Sequence, residues 1–350
     1  MFILAFAVLL IVLVLTHELG HFAAAKMCKV KVEEFGIGFP PRIWGFKRGE
    51  TIYSINAIPF GGFTKLLGEE DPSKPGSLAS KSIPARIFVL SAGSLLNLLL
   101  PVLLFSLSFM IPHDMTLENV IIQDVATDSP AQAAGILPGD RVLEINGHEV
   151  KNRVDVSYQI QLNLGNQISM LLQQPDSSRK TVVVMPRWKP PQGQGATGVV
   201  LTYSDNRTVV ESMPFWQAIP SSITHSWDIL ALFKNEVISW FVRQTTPQLA
   251  GPIAIAQLTE GVVQSGFSAY LEFTALISIN LGIFNLLPIP GLDGGRLIFV
   301  LLEWVRRGKR ISPQKEGLVH LIGFIALIVL ILVISYFDVS RLIRGESLLP

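Results

Sequence analysis

Four apolar stretches, each about as long as a bilayer is thick, constrain the fold of this chain more than any other feature. A helix needs roughly 20 predominantly apolar residues to cross the hydrocarbon core. The composition agrees, because 49% of the residues are hydrophobic and 16% are charged, whereas soluble domains carry about a quarter charged residues. The sequence therefore predicts a polytopic α-helical membrane protein with about four transmembrane helices. The stretches lie at 1–29, 84–111, 268–303 and 316–338.

The third stretch differs from the others because prolines, asparagines and the Gly-Gly pair at 294–295 interrupt it. Broken backbone at membrane depth is tolerated only where it faces protein or water. Such a break indicates a functional site.

The first stretch is also compatible with a signal peptide. It has no basic segment before its apolar core, and no small-residue cleavage site follows that core. We therefore favour an uncleaved span.

Lysines and arginines orient the spans, since short cytoplasmic loops carry an excess of them. Ten lie between the first and second spans, and five lie in the short loop before the last span. Residues 26–86 and 303–316 are therefore expected to face the cytoplasm, and the region between the second and third spans is expected to lie outside. The net charge of +1 gives no sign of a nucleic-acid partner, and Cys28, the only cysteine, cannot form an intrachain disulfide.

The regions between the spans have strand and turn patterns. Residues 30–83 are rich in glycine and proline and include the strand-like TIYSINAIPF, which predicts a membrane-associated β region on the cytoplasmic side, or else a plain cytoplasmic hairpin. Residues 115–205 predict a small α+β domain, with a hairpin turn at Asn146-Gly147. Aromatic residues at helical spacing in 212–250 predict an amphipathic interfacial helix, with a helix buried in the domain as the alternative.

The motif HELGH at 17–21 carries the most specific chemistry. Positions i and i+4 share one face of a helix, so His17 and His21 can bind one metal ion while Glu18 lies near its open position. Three unpaired ionisable groups at membrane depth would each cost about 2.5–3.5 kcal/mol on insertion scales. The alternative, a helix end with solvated side chains at the interface, leaves the spacing unexplained.

A catalytic zinc usually takes three protein ligands, so the third must come from elsewhere in the chain. Asp293 is the best candidate, because PIPGLDGG lies in the interrupted stretch and is oriented towards the same cytoplasmic side. Glu303 and Glu272 are the alternative candidates for the third ligand, but neither has a local break in the helix that would direct its side chain inward. Asp293 could instead cap a helix after the Pro-Gly turn.

Six short motifs are spread over nearly the whole chain: HELGH (17–21), GIGFP (36–40), GGF (61–63), SAGSLLN (91–97), GPIAIA (251–256) and NLLPIPGLDGG (285–295). Together they resemble the site-2 family of intramembrane metalloproteases, and most closely its bacterial regulator-of-sigma-E protease branch. The resemblance implies that His17, His21 and Asp293 bind zinc and that Glu18 is the general base. It also implies that residues 115–205 form an extracytoplasmic PDZ-like domain.

Three asparagines are candidates for substrate binding, because a transmembrane helix must be unwound before its peptide bonds can be attacked. Asn280 and Asn285 correspond to family asparagines that hold the substrate. Asn97 could donate to the developing oxyanion, and the strand at 51–66 offers an edge for β-addition. Each asparagine could instead form an interhelical hydrogen bond.

Two features depart from the family pattern. AGSLLN stands where AGPxxN is usual, which keeps Asn97 but puts the local kink in doubt. Only one PDZ-like domain fits between Met115 and Tyr203, whereas the best-known enterobacterial relatives carry two in tandem.

The resemblance implies regulated intramembrane proteolysis in the bacterial inner membrane, with the active site near the cytoplasmic side. The expected partners, besides membrane lipids, are single-span proteins such as an anti-sigma factor or remnant signal peptides, and a site-1-type protease that makes an earlier outer cut. The alternatives are a non-catalytic membrane-anchored PDZ scaffold, which needs no metal, and a metal transporter, which would carry zinc across vesicles.

Overall fold

The computed structural model describes residues 2–69, 71–243 and 251–344. Its helices are α1 (Phe2–Met27), α2 (Ile83–Met110), α3 (Pro130–Ala133), α4 (Arg153–Leu162), α5 (Phe215–Arg243), α6 (Pro252–Gln264), α7 (Phe267–Leu286), α8 (Asp293–Val305) and α9 (Pro313–Ile343). Its strands are β1 (Val32–Arg48), β2 (Thr51–Leu66), β3 (His113–Val125), β4 (Arg141–Ile145), β5 (His148–Glu149), β6 (Ile168–Gln173), β7 (Arg179–Val184) and β8 (Val199–Glu211). The chain divides into two compact units, Met1–Ser108 with Leu249–Pro350, and Phe109–Gln248.

Four helices, α1, α2, α7 and α9, are long and apolar enough to cross a membrane. They belong to the first unit, apart from the last two residues of α2. Helix α9 exposes apolar side chains along its length, and Asp338 is its one buried residue among those described. A helix of this kind needs lipid around it. The predicted polytopic membrane fold is confirmed.

The predicted third span consists of two helices. Helix α7 ends at Leu286 and α8 begins at Asp293, and Pro288 and Pro290 between them lack the N–H groups that a continuous helix needs. The 13 residues of α8 extend for about 20 Å, less than the roughly 30 Å of the hydrocarbon core. Of the two, only α7 is therefore long enough to cross.

Helix α6 was not expected from the sequence. It begins at Pro252, a position where the missing N–H of proline costs nothing. The Asp338 carboxylate of α9 accepts a hydrogen bond from the Ala254 N–H at 3.2 Å, which satisfies a backbone donor in the first turn. This partner lies 84 residues away, so no local pattern indicates it.

Strands β1 and β2 form a mainly antiparallel sheet and bend back on themselves, so that 34–37 also runs parallel to 52–55. Residues 34–37 lie between 52–55 and 62–65, and 51–56 also pairs with 42–48. The first half of β2 is therefore internal, and within the described chain only its second half lies at an edge. The edge predicted for the strand at 51–66 is therefore limited to its second half, and β-addition there stays a prediction.

This sheet exposes many large apolar side chains, namely Ile37, Phe39, Ile43, Trp44, Phe46, Ile55 and Ile58. An apolar surface of this extent is unusual on a soluble hairpin and favours the membrane-associated interpretation. A buried cluster then ties the sheet to α1, α2 and α8, and it consists of Ala24, Ala25, Val30, Val32, Leu66, Leu78, Val89, Leu90, Ala92 and Val300.

The second unit is built on a six-stranded sheet in the order β7-β6-β4-β3-β8, with β5 paired to β4. Strands β3 and β8 pair along their lengths, from His113 with Glu211 to Val125 with Val199. Core residues from the sheet, α3 and α4 pack into one cluster. The unit, Phe109–Gln248, is wider than the predicted 115–205 domain because the β3–β8 ribbon starts earlier and α5 follows it. The predicted domain limits stay predictions.

Helix α5 covers most of the predicted 212–250 region, of which 244–250 lie outside the described residues. The Asn235 amide donates to the carbonyls of Gln161 and Leu162 at 2.9 Å each, so it caps the C-terminal end of α4. The buried side of α5 is small or polar: Ala218, Ser222, Ser226, Asn235 and Ser239. The exposed side carries large apolar residues, including Phe215, Trp216, Trp227 and Phe241. This distribution favours the interfacial interpretation over a buried domain helix.

Candidate metal centre

Three potential metal ligands, two from α1 and one from α8, converge in the first unit. His17 and His21 lie one turn apart on α1, and their Nε2 atoms are 3.2 Å apart. The Oδ2 atom of Asp293 lies 3.0 Å from His17 Nε2 and 3.1 Å from His21 Nε2. All three ligand atoms lie within 4.8 Å of one another, with both histidines buried. Two imidazoles and one carboxylate are a donor set that suits a catalytic zinc.

The surroundings of His21 show that its Nε2 atom is available as a ligand. Its Nδ1 atom lies 2.8 Å from the carbonyl oxygen of Val89. A carbonyl only accepts hydrogen bonds, so Nδ1 carries a proton, and Nε2 is the nitrogen that keeps a lone pair when the ring is neutral. Histidines that bind metals are commonly held in this way. The residues therefore fit a metal ion bound at Nε2 of the neutral His21 ring.

His17 has a comparable neighbour in Asn97. The Asn97 amide nitrogen lies 3.5 Å from His17 Nδ1, while its Oδ1 atom is buried without a partner among the described residues. Amide oxygen and nitrogen are interchangeable by a half-turn of the group. After that turn, Oδ1 would accept a hydrogen bond from His17 Nδ1 and leave Nε2 free for a metal.

Two glycines allow α1 and α2 to approach closely at this point. A Cβ at Gly20 would lie 2.9 Å from the Cα of Gly93. A Cβ at Gly93 would lie 2.7 Å from His21 Cδ2 and 2.9 Å from His17 Cε1. Real Cβ atoms essentially never come this close to other heavy atoms. The backbone of α2 therefore lies directly against both imidazoles.

Asp293 is the first residue of α8, and the N-cap position is occupied by Leu292 without a side-chain cap. The alternative that Asp293 caps this helix is therefore wrong. Gly294 and Gly295 let the first turn of α8 pack against the loop before it, since a Cβ at Gly295 would lie 3.0 Å from Pro290 Cα. The LDGG sequence thus brings the carboxylate to the imidazoles by close backbone packing.

Comparison with known proteins identifies the family of this chain. Residues 5–330 match the family model described as peptidase family M50. The chain belongs to peptidase family M50. Its predicted membership of the site-2 protease family is confirmed.

Relatives of this M50 peptidase are similar over nearly their whole length. A protein of Clostridium acetobutylicum, named provisionally as a zinc metalloprotease, is 35% identical over 338 residues, which are 96% of each chain. The zinc metalloprotease RasP of Geobacillus kaustophilus is 27% identical over 424 residues, covering 97% of this chain and 98% of the relative. A provisionally named zinc metalloprotease of Rickettsia conorii is 32% identical over 361 residues, covering 97% and 99%.

Glu18 of the M50 peptidase lies next to His17 on α1 and faces the second half of β2. A Cβ at Gly62 would lie 3.6 Å from Glu18 Cγ, and the Thr64 hydroxyl donates to the Glu18 carbonyl at 2.9 Å. The edge segment of the sheet therefore passes this carboxylate. A strand added to that edge would run close to the cluster.

The two rival ligands lie in other contacts. Glu303, at the far end of α8, forms ion pairs with Arg86 at 2.5 Å and Arg310 at 2.9 Å. Glu272 accepts a hydrogen bond from the Ser108 hydroxyl at 2.7 Å. Neither belongs to the three-residue cluster.

Asn280 and Asn285 lie on α7, both half-buried. Neither side chain has a hydrogen-bonding partner among the described residues. Residues five apart on a helix are separated by about 140°, so the two amides do not share a face. Ser278 donates to the Asn97 carbonyl at 2.7 Å, which places this part of α7 beside α2. The substrate-binding roles of all three asparagines stay predictions.

Sequence reasoning missed the supporting residues of the cluster. Gly20 and Gly93 both stand in motifs that were singled out, but their role depends on how closely two helices approach. The Val89 carbonyl carries no sequence signal, since every residue has one. Val89 lies four residues before Gly93 and eight before Asn97, which places all three on one face of α2. That face can be assigned to the metal cluster only once α2 is known to lie along α1.

Proposed function

We propose that this chain, a membrane zinc metalloendopeptidase of family M50, holds its zinc with His17, His21 and Asp293 and uses Glu18 as general base. The observation that carries the proposal is that three potential ligand atoms, on helices α1 and α8 of the first unit, lie within 4.8 Å of one another. Zinc bound there would lower the pKa of a water molecule towards about 7. Glu18, as general base, would accept a proton from a water molecule activated in this way and pass it to the leaving amine.

The proposed substrate is a single-span membrane protein that enters with part of its helix unwound. Unwinding exposes backbone N–H and C=O groups, which need new partners in a membrane. The edge formed by 62–65 supports binding by β-addition, because it runs past Glu18. The unpaired amides of Asn280 and Asn285 could hold the remaining backbone groups, and membrane lipids would surround the rest of the substrate.

We further propose that cleavage follows an earlier outer cut by a site-1-type protease. Anti-sigma factors and remnant signal peptides are the proposed substrates. The second unit would act as an extracytoplasmic PDZ-like domain that selects trimmed substrates. Its supporting features are the antiparallel sheet, the short α3 after Ser129 and the longer α4. The similarity to bacterial relatives supports a bacterial inner membrane, and the lysine and arginine distribution supports an active site near the cytoplasmic side.

The test uses the full chain purified in detergent with a truncated single-span protein as substrate. The protein is assayed with and without a chelator, and zinc content is measured alongside cleavage. Glu18→Gln should keep zinc while cleavage falls by about 10²–10⁴-fold, the usual contribution of a general base. Glu260→Gln, an exposed position on α6, is the matched control and should behave like the wild type.

Asp293→Asn should lower the zinc content as well as cleavage. Full zinc content in Asp293→Asn would assign the third ligand elsewhere, and cleavage by Glu18→Gln would remove the base assignment. Cleavage that survives removal of the metal would contradict the whole proposal. Zinc flux into vesicles would instead favour a transporter, and wild-type protein that binds no zinc would favour a scaffold.

A further inference from the structure

The loop at 287–292 presents Asp293 to the histidines, and its backbone hydrogen bonds show how it is held. Prolines occupy two of its six positions, so the loop has four N–H groups. Three of them bond to carbonyls two or three residues earlier: Leu287, Ile289 and Leu292. The fourth, from Gly291, donates to Nδ1 of His320 on α9 at 3.1 Å. Among the loop's N–H groups, only this one has a partner distant in sequence.

Helix α9 lies directly against this loop. A Cβ at Gly291, where φ is +98°, would lie 2.9 Å from the backbone nitrogen of Phe324. A Cβ at Gly323 would overlap the carbonyl of Pro290. Two glycines, one on each side, therefore allow the close approach that brings the His320 ring to the Gly291 N–H.

The His320 ring also contacts the helix that follows Asp293. Its centroid lies 5.3 Å from that of Phe299 on α8. His320 thus contacts the chain on both sides of the carboxylate, two residues before it and six residues after it. Because the Gly291 N–H is a donor, Nδ1 is the accepting nitrogen of a neutral ring.

We propose that His320 is a positioning residue whose Nδ1 atom fixes Gly291 and so holds the Asp293 carboxylate in line with His17 and His21. The proposal rests on the proposed function, since it takes Asp293 as a zinc ligand. Metal sites require ligand distances within about 0.2 Å of ideal values, so a loosened loop weakens binding. Groups that hydrogen-bond to a metal ligand typically contribute 10–100-fold to metal affinity, and we expect this range here because only two residues of backbone separate the contact at Gly291 from Asp293.

The test separates the hydrogen-bond acceptor from the ring. His320→Phe keeps a ring against Phe299 but removes the acceptor, and His320→Asn keeps an acceptor oxygen close to the position of Nδ1 but removes the ring. Leu321→Ala, at a neighbouring exposed position of α9, is the matched control. Zinc affinity and the rate of zinc loss to a chelator are measured on the full chain in detergent, with the thermal stability of each metal-free variant.

His320→Phe should raise the zinc dissociation constant about 10–100-fold, while His320→Asn and Leu321→Ala should stay within about threefold of the wild type. Unchanged affinity in His320→Phe would overturn the proposal. So would an equal loss in His320→Asn, which would assign the effect to ring packing. Asp293→Asn distinguishes failure of the proposed zinc ligands from failure of the role of His320. If Asp293→Asn keeps full zinc affinity, the proposed ligand set is wrong. If Asp293→Asn loses zinc affinity and His320→Phe does not, only the role of His320 is wrong.

Discussion

Replacing Gly93 with alanine tests how directly α2 supports the candidate metal centre. The added Cβ would lie 2.7 Å from His21 Cδ2 and 2.9 Å from His17 Cε1. Ordinary contacts begin at 3.4 Å, so these atoms must separate by about 0.5–0.7 Å. Helix α2 has little room to move away, because α7 also packs closely against it: a Cβ at Gly282 would lie 3.0 Å from the Ser94 carbonyl oxygen.

The expected loss follows from the tolerance of metal sites. A displacement of this size exceeds the roughly 0.2 Å within which ligand distances must fall. At least one imidazole should leave bonding distance, which costs more than the 10–100-fold effect of losing a supporting contact. We expect the zinc dissociation constant of Gly93→Ala to rise at least about 100-fold, or about 2.8 kcal/mol. Alanine is favoured over glycine in a helix by about 1 kcal/mol, but overpacking costs about 1–3 kcal/mol, so the metal-free protein should lose little thermal stability compared with the loss of zinc affinity.

The assay is competition for zinc with a chelating dye, on the full chain in detergent, with two glycine controls. A Cβ at Gly282 would meet the Leu98 side chain at 2.9 Å, so Gly282→Ala should lower thermal stability without changing zinc affinity. A Cβ at Gly261, within α6, meets nothing within 4 Å, so Gly261→Ala should leave zinc affinity unchanged and raise thermal stability slightly. Wild-type affinity in Gly93→Ala would refute the reasoning. An equal loss in Gly282→Ala would show that α2 packing in general, and not this contact, supports the site.

Two further substitutions test buried polar groups. Asn97→Leu removes the amide beside His17 Nδ1. Zinc affinity, measured by dye competition, should therefore fall about 10–100-fold. An unchanged zinc affinity together with a kcat lowered about 10²–10³-fold would instead favour a role of Asn97 at the oxyanion. Glu303→Leu leaves the buried Arg86 and the nearby Arg310 without their shared carboxylate and should cost about 3–5 kcal/mol in unfolding experiments. The double variant Arg86→Met/Glu303→Leu should recover most of that loss, and a single variant as stable as the wild type would contradict the argument.

The sequence predicts the spans and the ligand residues because both leave local patterns. Long apolar runs exceed what a soluble helix needs, and the i, i+4 spacing of His17 and His21 defines one helix face. Asp293 could be selected because prolines and glycines mark a broken helix around it. These signals need no knowledge of how distant elements pack.

The sequence could not predict features that depend on packing between distant segments. Helix α6 is stabilised by Asp338 from α9, and the double pairing of residues 34–37 follows from strands that bend back. The edge available for β-addition could not be identified from the composition of β2 for the same reason. His320 carries no motif, and only its hydrogen bond to Gly291 reveals its contact with the loop.

The contacts of α2 also show how the candidate centre is supported despite the departure from the family's AGPxxN pattern. Three positions spaced by four, 89, 93 and 97, form one face of α2. They contribute a carbonyl to His21, space for both imidazoles, and an amide beside His17. Position 94, where serine replaces proline, lies outside this series, and α2 runs unbroken from Ile83 to Met110. The support therefore depends on residues that this chain retains, and not on a proline-induced kink.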